Sequence, residues 1–379
     1  MSEALEVRLV EKLDTIPEAT WNGLLGERAS PFLEWAWLEA LERAGCVGAD
    51  KGWLPQHLTL YRAGKLIAAA PAYLKGNSEG EFVFDWQWAS FAEQKLGIDY
   101  YPKLVVAVPF TPVTGERILV APGEDRAALT EMLGVAVTKI VQQLGLSSGH
   151  VLFPREEEAD ALVRAGLVRR LGVQFHWKNQ GFATFDDFLS SMGSKKKHQI
   201  KRERREVKAQ GIVIETRRGS DLDEETLAAA YRFYLATVDK FVWGRRYLNA
   251  EFFRLIAERW ANDRLEVVVA KRNGVLVGGA VNVHKDDRLY GRYWGADEDV
   301  KFLHFDVCYY HSIEECIARK DAVFEPGAGG EHKARRGFAP TKTWSAHYLR
   351  DPRMRRVIAD VCAREAAHVE RMVETGEEE

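Results

Sequence analysis

Two stretches of the chain that lie 210 residues apart share one pattern, and this repeat limits the possible folds more than any other feature. Each stretch is an apolar run, a two-residue turn and a second apolar run, and the turns are Ala63-Gly64 and Asn273-Gly274. A glycine turn between apolar runs is typical of a β-hairpin. Three small residues follow each turn, at 68–70 and 278–280, where another backbone or a ligand could approach closely. We therefore expect two homologous domains, each built around a hairpin.

Helical and strand patterns are mixed on both sides of the hairpins. The pattern predicts helices at 16–25, 31–44, 125–144, 156–165, 185–209, 224–239, 250–262, 306–319 and 352–373, and strands at 6–10, 103–108, 150–153, 212–216, 265–270, 288–294 and 322–325. Helices mixed with hairpin-connected strands predict an α/β fold in which each domain has a mixed, partly antiparallel sheet flanked by helices. Because residues 178–181 resemble a break between elements, we predict a first domain at 1–175, a second at 176–350 and a C-terminal helix at 351–379.

The composition excludes several classes of protein. A chain of 379 residues is long enough for two domains, and its net charge of −3 gives no global attraction to nucleic acid or membranes. The four cysteines have no C-x-x-C spacing, so neither a zinc site nor a disulfide framework is indicated. The first residues lack the apolar core of a secretion signal, and no apolar run is long enough to span a membrane. We therefore expect a cytoplasmic protein without a membrane span.

The segment after the strand at 322–325 concentrates reactive side chains. Three of the four residues 327–330 are glycines, and Glu331, His332 and Lys333 follow directly. Glycines allow positive φ angles and close approach to a ligand, and a carboxylate, an imidazole and an amine can supply a base and an anion contact. The alternative is an ordinary solvated turn. The density of glycines favours a catalytic loop, so we predict Glu331, His332 and Lys333 as catalytic residues.

A strongly basic helix is predicted at the start of the second domain. Residues 194–208 contain eight cations and two carboxylates, which suits a phosphate-bearing substrate. A solvated charged surface is the competing interpretation. No aromatic residues interleave the helix to stack on bases, so direct reading of a nucleic-acid sequence is disfavoured. The predicted substrate-binding residues of the helix are Lys195, Lys197, Lys201, Arg202 and Arg205.

Two aromatic segments complete the predicted binding site. Residues 240–248 mix cations and rings, and strand alternation would place Tyr290, Arg292 and Trp294 on one face. Arginine between aromatic rings suits the wall of a cleft that binds an anion. The further predicted substrate-binding residues are Lys240, Trp243, Tyr247, Tyr290, Arg292, Trp294 and Arg336. His304, Asp306 and His311 do not have the spacing of metal ligands, so no metal site is predicted.

The order of these segments resembles that of the Fem-type transferases, which belong to the GNAT acyltransferase superfamily and carry two GNAT domains in one chain. Residues 109–115 (Pro-Phe-Thr-Pro-Val-Thr-Gly) and 327–333 (Gly-Ala-Gly-Gly-Glu-His-Lys) are similar to motifs of a FemAB-like branch linked to peptidoglycan biosynthesis. The match covers residues 30–347. The resemblance implies transfer of an aminoacyl or acyl group to an amine without a covalent enzyme intermediate. It leaves open whether the donor is an aminoacyl-tRNA or an acyl-CoA.

The two turns where a GNAT enzyme would hold the pyrophosphate of CoA are acidic here. They span residues 121–126 and 296–300, and their carboxylates would repel a pyrophosphate at the same amides. We therefore expect no tightly bound cofactor, a phosphate-bearing small-molecule substrate, and an open option of transient contact with tRNA. The oligomeric state stays open. The alternatives are a CoA-dependent N-acetyltransferase with an altered loop and a non-catalytic binding protein derived from the GNAT fold.

Overall fold

A computed structural model describes residues 4–240, 245–260 and 264–375, without the side chain of Glu331. The described chain forms two compact units. The first unit comprises the residues up to Val173 together with Lys342–Thr375, and the second unit comprises Gln174–Thr341. The predicted boundary after residue 175 lies close to this division, whereas residues 342–350, which we predicted for the second domain, group with the first unit.

The first part of the chain alternates short strands and helices. Its elements are β1 (Leu5–Val10), α1 (Glu18–Asn22), α2 (Trp35–Arg43), β2 (Leu54–Pro55), β3 (His57–Arg62), β4 (Lys65–Ala70), β5 (Ala72–Lys75), α3 (Trp86–Phe91), β6 (Lys103–Val106), β7 (Leu119–Val120), α4 (Arg126–Gln143), β8 (Ser148–Leu152) and α5 (Glu156–Arg164).

The remaining elements begin with a long strand that the sequence patterns did not predict. They are β9 (Val168–Lys178), α6 (Phe185–Ser190), α7 (Ser194–Ala209), β10 (Ile212–Arg217), α8 (Glu224–Val238), α9 (Ala250–Trp260), β11 (Leu265–Arg272), β12 (Val275–Lys285), β13 (Arg288–Ala296), α10 (Leu303–Phe305), α11 (His311–Arg319), β14 (Val323–Glu325), β15 (Ala339–Leu349) and α12 (Pro352–Thr375). A π-helical turn, Asp306–Tyr310, joins α10 to α11, and Glu331–Arg336 form a 3-10 helix.

The two units repeat one strand topology. In the first unit β1 pairs antiparallel with β3, β3 with β4, and β5 with β6, and β6 then pairs parallel with β8 across α4. In the second unit β10, β11, β12 and β13 pair antiparallel in that order, and β13 pairs parallel with β14 across α10 and α11. The predicted α/β fold, in which partly antiparallel sheet is flanked by helices, is confirmed.

Even an irregularity of the pairing is repeated. Leu60 pairs with Ala68 but Tyr61 pairs with Leu66, so Ile67 is an extra residue in β4. Ala270 pairs with Gly278 but Lys271 pairs with Leu276, so Val277 is the extra residue in β12. Ile67 and Val277 are 210 residues apart, which is the spacing of the sequence repeat.

Small residues on β12 and β13 let a helix pack closely against these strands. A Cβ atom at Gly279 would lie 3.2 Å from the ring of Phe233 on α8, and one at Gly295 would overlap the carbonyl oxygen of Phe233. Helix α8 therefore packs directly on the backbone of β12 and β13. The expectation that another backbone could approach closely at these small residues is therefore confirmed.

The helix predicted at 185–209 is divided in the structure, whereas the C-terminal helix is observed nearly as predicted. The helix predicted at 185–209 is two helices, because α6 ends at Ser190 and α7 begins after an extended Gly193 at its N-cap. The C-terminal helix α12 packs on the first unit, where Met354, Ile358 and Cys362 join a cluster with Trp88 and Tyr100. These contacts explain why residues after 342 belong to the first unit.

Candidate functional site

A pocket of about 80 Å³ lies in the second unit between the β12–β13 pair and the helical segment that starts at α10. Ligand sites for whole drug-sized molecules are usually about 300 Å³ or larger, so this pocket suits the reacting groups of a larger substrate. The residues that line it are Ala280, Asn282, Gly291, Arg292, Tyr293, Trp294, His304, Cys308, Tyr309 and Pro326.

A β-bulge at Arg292 shapes one wall of the pocket. Val281 pairs with Tyr293 and Asn282 pairs with Gly291, so Arg292 is an extra residue in β13. A bulge shifts the alternation of side chains and re-aims them. The prediction that Tyr290, Arg292 and Trp294 share one face is therefore wrong. Tyr290 pairs with Val283, and Trp294 pairs with Ala280. Val283 and Ala280 lie three positions apart on β12 and so point to opposite faces of the sheet, and Tyr290 and Trp294 follow their partners to opposite faces.

Glycines bring the end of β14 close to the pocket. A Cβ atom at Gly291 would lie 3.2 Å from the Cα atom of Pro326, so the absence of a side chain there lets the two backbones approach. Gly327, Gly329 and Gly330 then adopt positive φ angles of 87°, 69° and 91°. These angles are accessible mainly to glycine, and they turn the chain into the 3-10 helix Glu331–Arg336.

Lys333 holds this glycine loop together. Its side chain is buried, and its Nζ donates hydrogen bonds to the carbonyl oxygens of Gly327 at 2.7 Å and Ala328 at 3.4 Å. Burial lowers the pKa of Lys333 to about 8, because water is excluded from the charged amine. The structure thus places this predicted catalytic residue inside the loop, where it fixes backbone.

His332 contacts a tyrosine that the sequence patterns did not single out. The Nε2 atom of His332 lies 3.0 Å from the hydroxyl of Tyr309, a residue of the pocket wall. Burial raises the pKa of Tyr309, so its hydroxyl keeps its proton and can donate it to a neutral imidazole. The neighbouring His304 is neutral, since burial lowers its pKa to about 3. We call Tyr309 and His332 the Tyr–His pair.

The π-helical turn explains why Tyr309 faces the pocket. Asp306–Tyr310 contains one residue more per turn than an α-helix, and π turns occur often at functional sites. Cys308 and Tyr309 line the pocket, whereas the hydroxyl of Tyr310 reaches the carboxylate of Glu203. The sequence offers the signal of adjacent tyrosines, but a period of 3.6 residues does not reveal the extra residue.

Arg336 is buried in an ion pair. Its Nη2 atom lies 2.9 Å from Oε1 of Glu203, and its Nε donates to the hydroxyl of Tyr310 at 2.9 Å. Its Nη1 donates to the carbonyl oxygen of His332 at 3.0 Å. The predicted role in substrate binding is not supported by this placement, because the guanidinium is directed at protein groups. The backbone of Glu331 begins the same 3-10 helix, and its side chain lies outside the described residues.

The cations of the basic helix α7 differ in their surroundings. Lys201 pairs with Asp186 at 3.0 Å, Arg202 with Glu206 at 3.8 Å, and Lys197 donates to the hydroxyl of Ser190 at 3.0 Å. Lys195, Arg205 and Lys208 are exposed and make no ion pair within the described part of the chain. These last three cations are the ones best placed to meet a phosphate from solution.

The remaining predicted binding residues lie outside the pocket lining. Lys240 is exposed after α8, and Tyr247 is half-buried before α9. Trp243 lies outside the described residues. The structure therefore brings together Arg292, Trp294, His332 and Lys333 near the pocket, and it does not place Lys240 or Tyr247 among the residues that line it.

The histidines and carboxylate of segment 304–311 have separate partners. The ring of His304 lies 4.5 Å from that of Trp294, and Asp306 lies 3.2 Å from Nε of Arg204. His311 Nε2 lies 2.8 Å from the Thr216 hydroxyl. Within residues 4–240, 245–260 and 264–375, no group of three potential ligands has the geometry to hold a metal ion.

The acidic turn after β13 is also occupied by protein contacts. Asp297 lies 2.7 Å from Nε of Arg232, and Glu298 pairs with Arg272. The continuous helical run that follows, Leu303–Arg319, begins after Phe302 in a left-handed conformation. Residues 296–300 themselves are not helical, so the acidic turn does not form a row of helical amides of the kind that binds a pyrophosphate.

The proline-rich motif of the first unit contacts a buried arginine through the carbonyl oxygen of Val113. Arg117 donates from Nε to the carbonyl oxygen of Leu152 at 2.7 Å, and from its terminal nitrogens to the carbonyl oxygens of Val113 and Glu116. Glu158 in turn accepts the backbone amides of Arg117 and Ile118, both at 2.9 Å. Segment 109–115 thus has a structural role in its unit.

A second buried polar cluster lies deeper in the first unit. Lys103 Nζ contacts Glu81 Oε2 at 2.9 Å, Asp85 Oδ2 at 2.5 Å and the Ser78 hydroxyl at 3.0 Å. The hydroxyl of Tyr100 also donates to Asp85, at 2.6 Å. We call Lys103, Glu81 and Asp85 the buried charge cluster. Its members contact one another.

Comparisons with known proteins agree with the predicted family. Residues 12–379 match the model of a FemAB-like family described by peptidoglycan biosynthesis/recognition. No curated protein matches the chain. Within the described residues, no helix has the length and apolar character needed to cross a bilayer.

Several solved structures share the fold. The crystal structure of FemX has 11% identity and a TM-score of 0.54, over 93% of this chain and all of that one. L-PGS from Bacillus licheniformis has 11% identity and a TM-score of 0.51, over 90% and 98% of the two chains. A conserved protein of unknown function from Bacteroides thetaiotaomicron also has 11% identity and a TM-score of 0.51, over 90% and 99%. At these identities the similarity concerns the fold alone, and it extends over at least 90% of this chain in each case.

Proposed function

The chain belongs to the FemAB-like family, and we propose that its second unit transfers an aminoacyl or acyl group to an amine of a cell-wall precursor. The family confirms the prediction of a transferase linked to peptidoglycan biosynthesis. The acceptor, the donor and the residues that act on them are the parts that we propose here.

One observation carries the assignment of the site. The Tyr–His pair places a phenol hydroxyl in the wall of a small pocket and an imidazole 3.0 Å behind it. An amine must lose a proton to form an amide, and a positioned acid–base group typically contributes about 10² to 10⁴ in rate. A hydroxyl backed by an imidazole can take that proton and pass its own to the imidazole.

The proposed reaction balances without an added co-reactant. The amine nitrogen attacks the carbonyl carbon of an ester or thioester donor, and Tyr309 receives the amine proton as it gives its own to Nε2 of His332. The new C–N bond forms, the bond from carbon to the leaving oxygen or sulfur breaks, and the proton returns to that leaving atom. Arg292 lines the pocket and can stabilise the oxyanion of the tetrahedral intermediate.

An aminoacyl-tRNA fits the surroundings better than an acyl-CoA. The exposed cations Lys195, Arg205 and Lys208 can contact the phosphates of a large donor. The acidic turn at 296–300 pairs with Arg232 and Arg272 and does not offer helical amides to a pyrophosphate. We propose that the enzyme is cytoplasmic, because both classes of donor are found in that compartment. We also propose that it holds no tightly bound cofactor.

The function can be tested with labelled donors. Purified protein is incubated with amine-bearing cell-wall precursors and either radiolabelled aminoacyl-tRNA or radiolabelled acetyl-CoA, and labelled amide is measured. We expect transfer from aminoacyl-tRNA, lost by about 10² in His332→Ala and retained in His198→Ala, a matched change at an exposed histidine of α7.

Other outcomes decide between the alternatives. Transfer from acetyl-CoA alone would show a CoA-dependent N-acetyltransferase and overturn our choice of donor. Tight binding of a precursor without turnover of any donor would show a binding protein instead of an enzyme. Glu331→Gln tests the remaining predicted catalytic residue: a loss of turnover equal to that of His332→Ala would make Glu331 part of the proton path.

A further inference from the structure

Glu203 is a buried carboxylate on the inner face of the basic helix α7. Only 1% of the residue is exposed. Its Oε1 atom accepts hydrogen bonds from Gln199 Nε2 and Arg336 Nη2, both at 2.9 Å, and its Oε2 atom accepts from Arg336 and from the hydroxyl of Tyr310. Charge-assisted contacts through two oxygens fix an orientation as well as a distance.

Arg336 extends this contact to the loop that carries His332. The Arg336 Nη1 atom donates to the carbonyl oxygen of His332 at 3.0 Å. The guanidinium carbon lies 3.4 Å from the centroid of the Phe305 ring, and that ring lies 5.5 Å from the ring of His332. Arg336 thus restrains His332 at its backbone and, through Phe305, at its imidazole.

Tyr310 extends the same contact to the other partner of the Tyr–His pair. Tyr310 directly follows Tyr309 in the π-helical turn, and its hydroxyl bonds to Glu203 and accepts from Arg336 Nε at 2.9 Å. Glu203 therefore contacts one residue on each side of the hydrogen bond between Tyr309 and His332. It is the common anchor of the helical segment and of the glycine loop.

We propose that Glu203 is a positioning residue, which sets the distance between Tyr309 and His332 through Tyr310 and Arg336 without touching the substrate. This inference rests on the proposed function of the Tyr–His pair. It also gives α7 a second role, separate from the binding role of its cations, because the buried carboxylate of Glu203 would fix the geometry of the Tyr–His pair.

A double variant separates positioning from folding. Replacement of a buried ion pair by apolar residues of similar volume often preserves stability, so we expect Glu203→Met/Arg336→Met to unfold at a denaturant concentration close to that of the wild type. A misplacement of about 1 Å can cost about 10² in rate. We therefore expect kcat to fall by about 10 to 100-fold while KM changes by less than about twofold. Glu206→Gln, a change of a half-buried carboxylate on the same helix, should leave kcat unchanged.

A second readout does not depend on turnover. Imidazole ¹⁵N signals of His332, identified by their loss in His332→Gln, report the hydrogen bond at Nε2. We expect them to shift in the folded double variant, and also in Glu203→Gln, but not in Glu206→Gln. If the wild type transfers no acyl group, the proposed function fails, and these signals still test the positioning.

Three results would overturn the proposal. One is a folded double variant with the kcat of the wild type. Another is an unchanged His332 signal in Glu203→Gln. The third is a fall in kcat that appears equally in Glu206→Gln, which would assign the effect to the charge of the helix. Should the double variant fail to fold, Glu203→Gln and its His332 signals decide the question alone.

Discussion

The hydroxyl of Tyr309 lies 3.0 Å from Nε2 of His332, although the two residues belong to different elements. Tyr309 is on a helical segment that crosses the sheet, and His332 is on the loop that follows β14. The pair exists because the π-helical turn and the glycine loop meet at one pocket. Its geometry gives the first of four predictions.

Tyr309→Phe should lower turnover by about 10², because the proton path from the amine to His332 loses its hydroxyl. The loss of one buried hydrogen bond should reduce the free energy of unfolding by only about 1 kcal/mol. Steady-state rates and chemical denaturation measure the two effects. Tyr61→Phe, at a half-buried tyrosine of the first unit, is the control. Wild-type turnover in Tyr309→Phe would place the acid–base chemistry on another group.

The stability that Lys333 contributes should depend on pH. Lys333 titrates near pH 8 in the folded protein and near 10.5 when unfolded, because burial disfavours its charged form. The folded state therefore binds fewer protons between these pH values, and stability should rise with pH across that window. We expect the free energy of unfolding of the wild type to increase from pH 8 to 10 relative to that of Lys333→Met. Lys195→Met, at an exposed lysine, should track the wild type; a difference for Lys333→Met that stays constant with pH would contradict the prediction.

Lys103→Met should destabilise the protein by about 3 to 5 kcal/mol, because it removes the cation that contacts both buried carboxylates and leaves Glu81 with Lys75 at 4.0 Å. Lys103 Nζ lies 2.9 Å from Glu81 Oε2 and has no exposed surface. Chemical denaturation compares this variant with Lys65→Met, at an exposed lysine on β4 of the same unit. Equal stability of the two variants would mean that the buried charge cluster does not support the fold.

Arg205→Glu/Lys208→Glu should weaken binding of a phosphate-bearing donor and flatten the dependence of that affinity on salt. These two cations are exposed and make no ion pair within the described residues, so folding should be unaffected. The matched control is Lys12→Glu/Lys139→Glu, which reverses two exposed charges of the first unit. An affinity that falls equally in both double variants would reflect net charge rather than a local binding surface.

The repeated fold could be predicted from the sequence because hairpin signals are local. The turns at Gly64 and Gly274, with apolar runs on both sides, needed no distant contact to be recognised. Strands β9 and β15 were missed for the opposite reason. Each contains residues of both units, and β9 ends where the pattern suggested a break, at residues 178–181. The long β9 also contains charged residues at Arg169 and Arg170.

The site could be predicted only in part. The glycine loop with His332 and Lys333 could be predicted because positive φ angles favour glycine, and a cluster of glycines is apparent in the sequence. Tyr309 was missed because the π-helical turn alters the helical period without a mark in the sequence. Tyr290 was misplaced because the bulge at Arg292 shifts side-chain alternation, and such a shift depends on the pairing with β12.

The extra residues Ile67 and Val277 have a consequence for the history of the chain. An inserted residue changes which face of the sheet each later side chain of the strand occupies. Such an insertion would therefore usually move apolar side chains out of the core and destabilise the fold. The same insertion at equivalent positions of both units is explained most simply by a single ancestral domain that already contained it. We infer that the duplicated domain already contained this strand pairing with its extra residue. The buried charge cluster of one copy and the pocket of the other are then later, separate specialisations of an inherited framework.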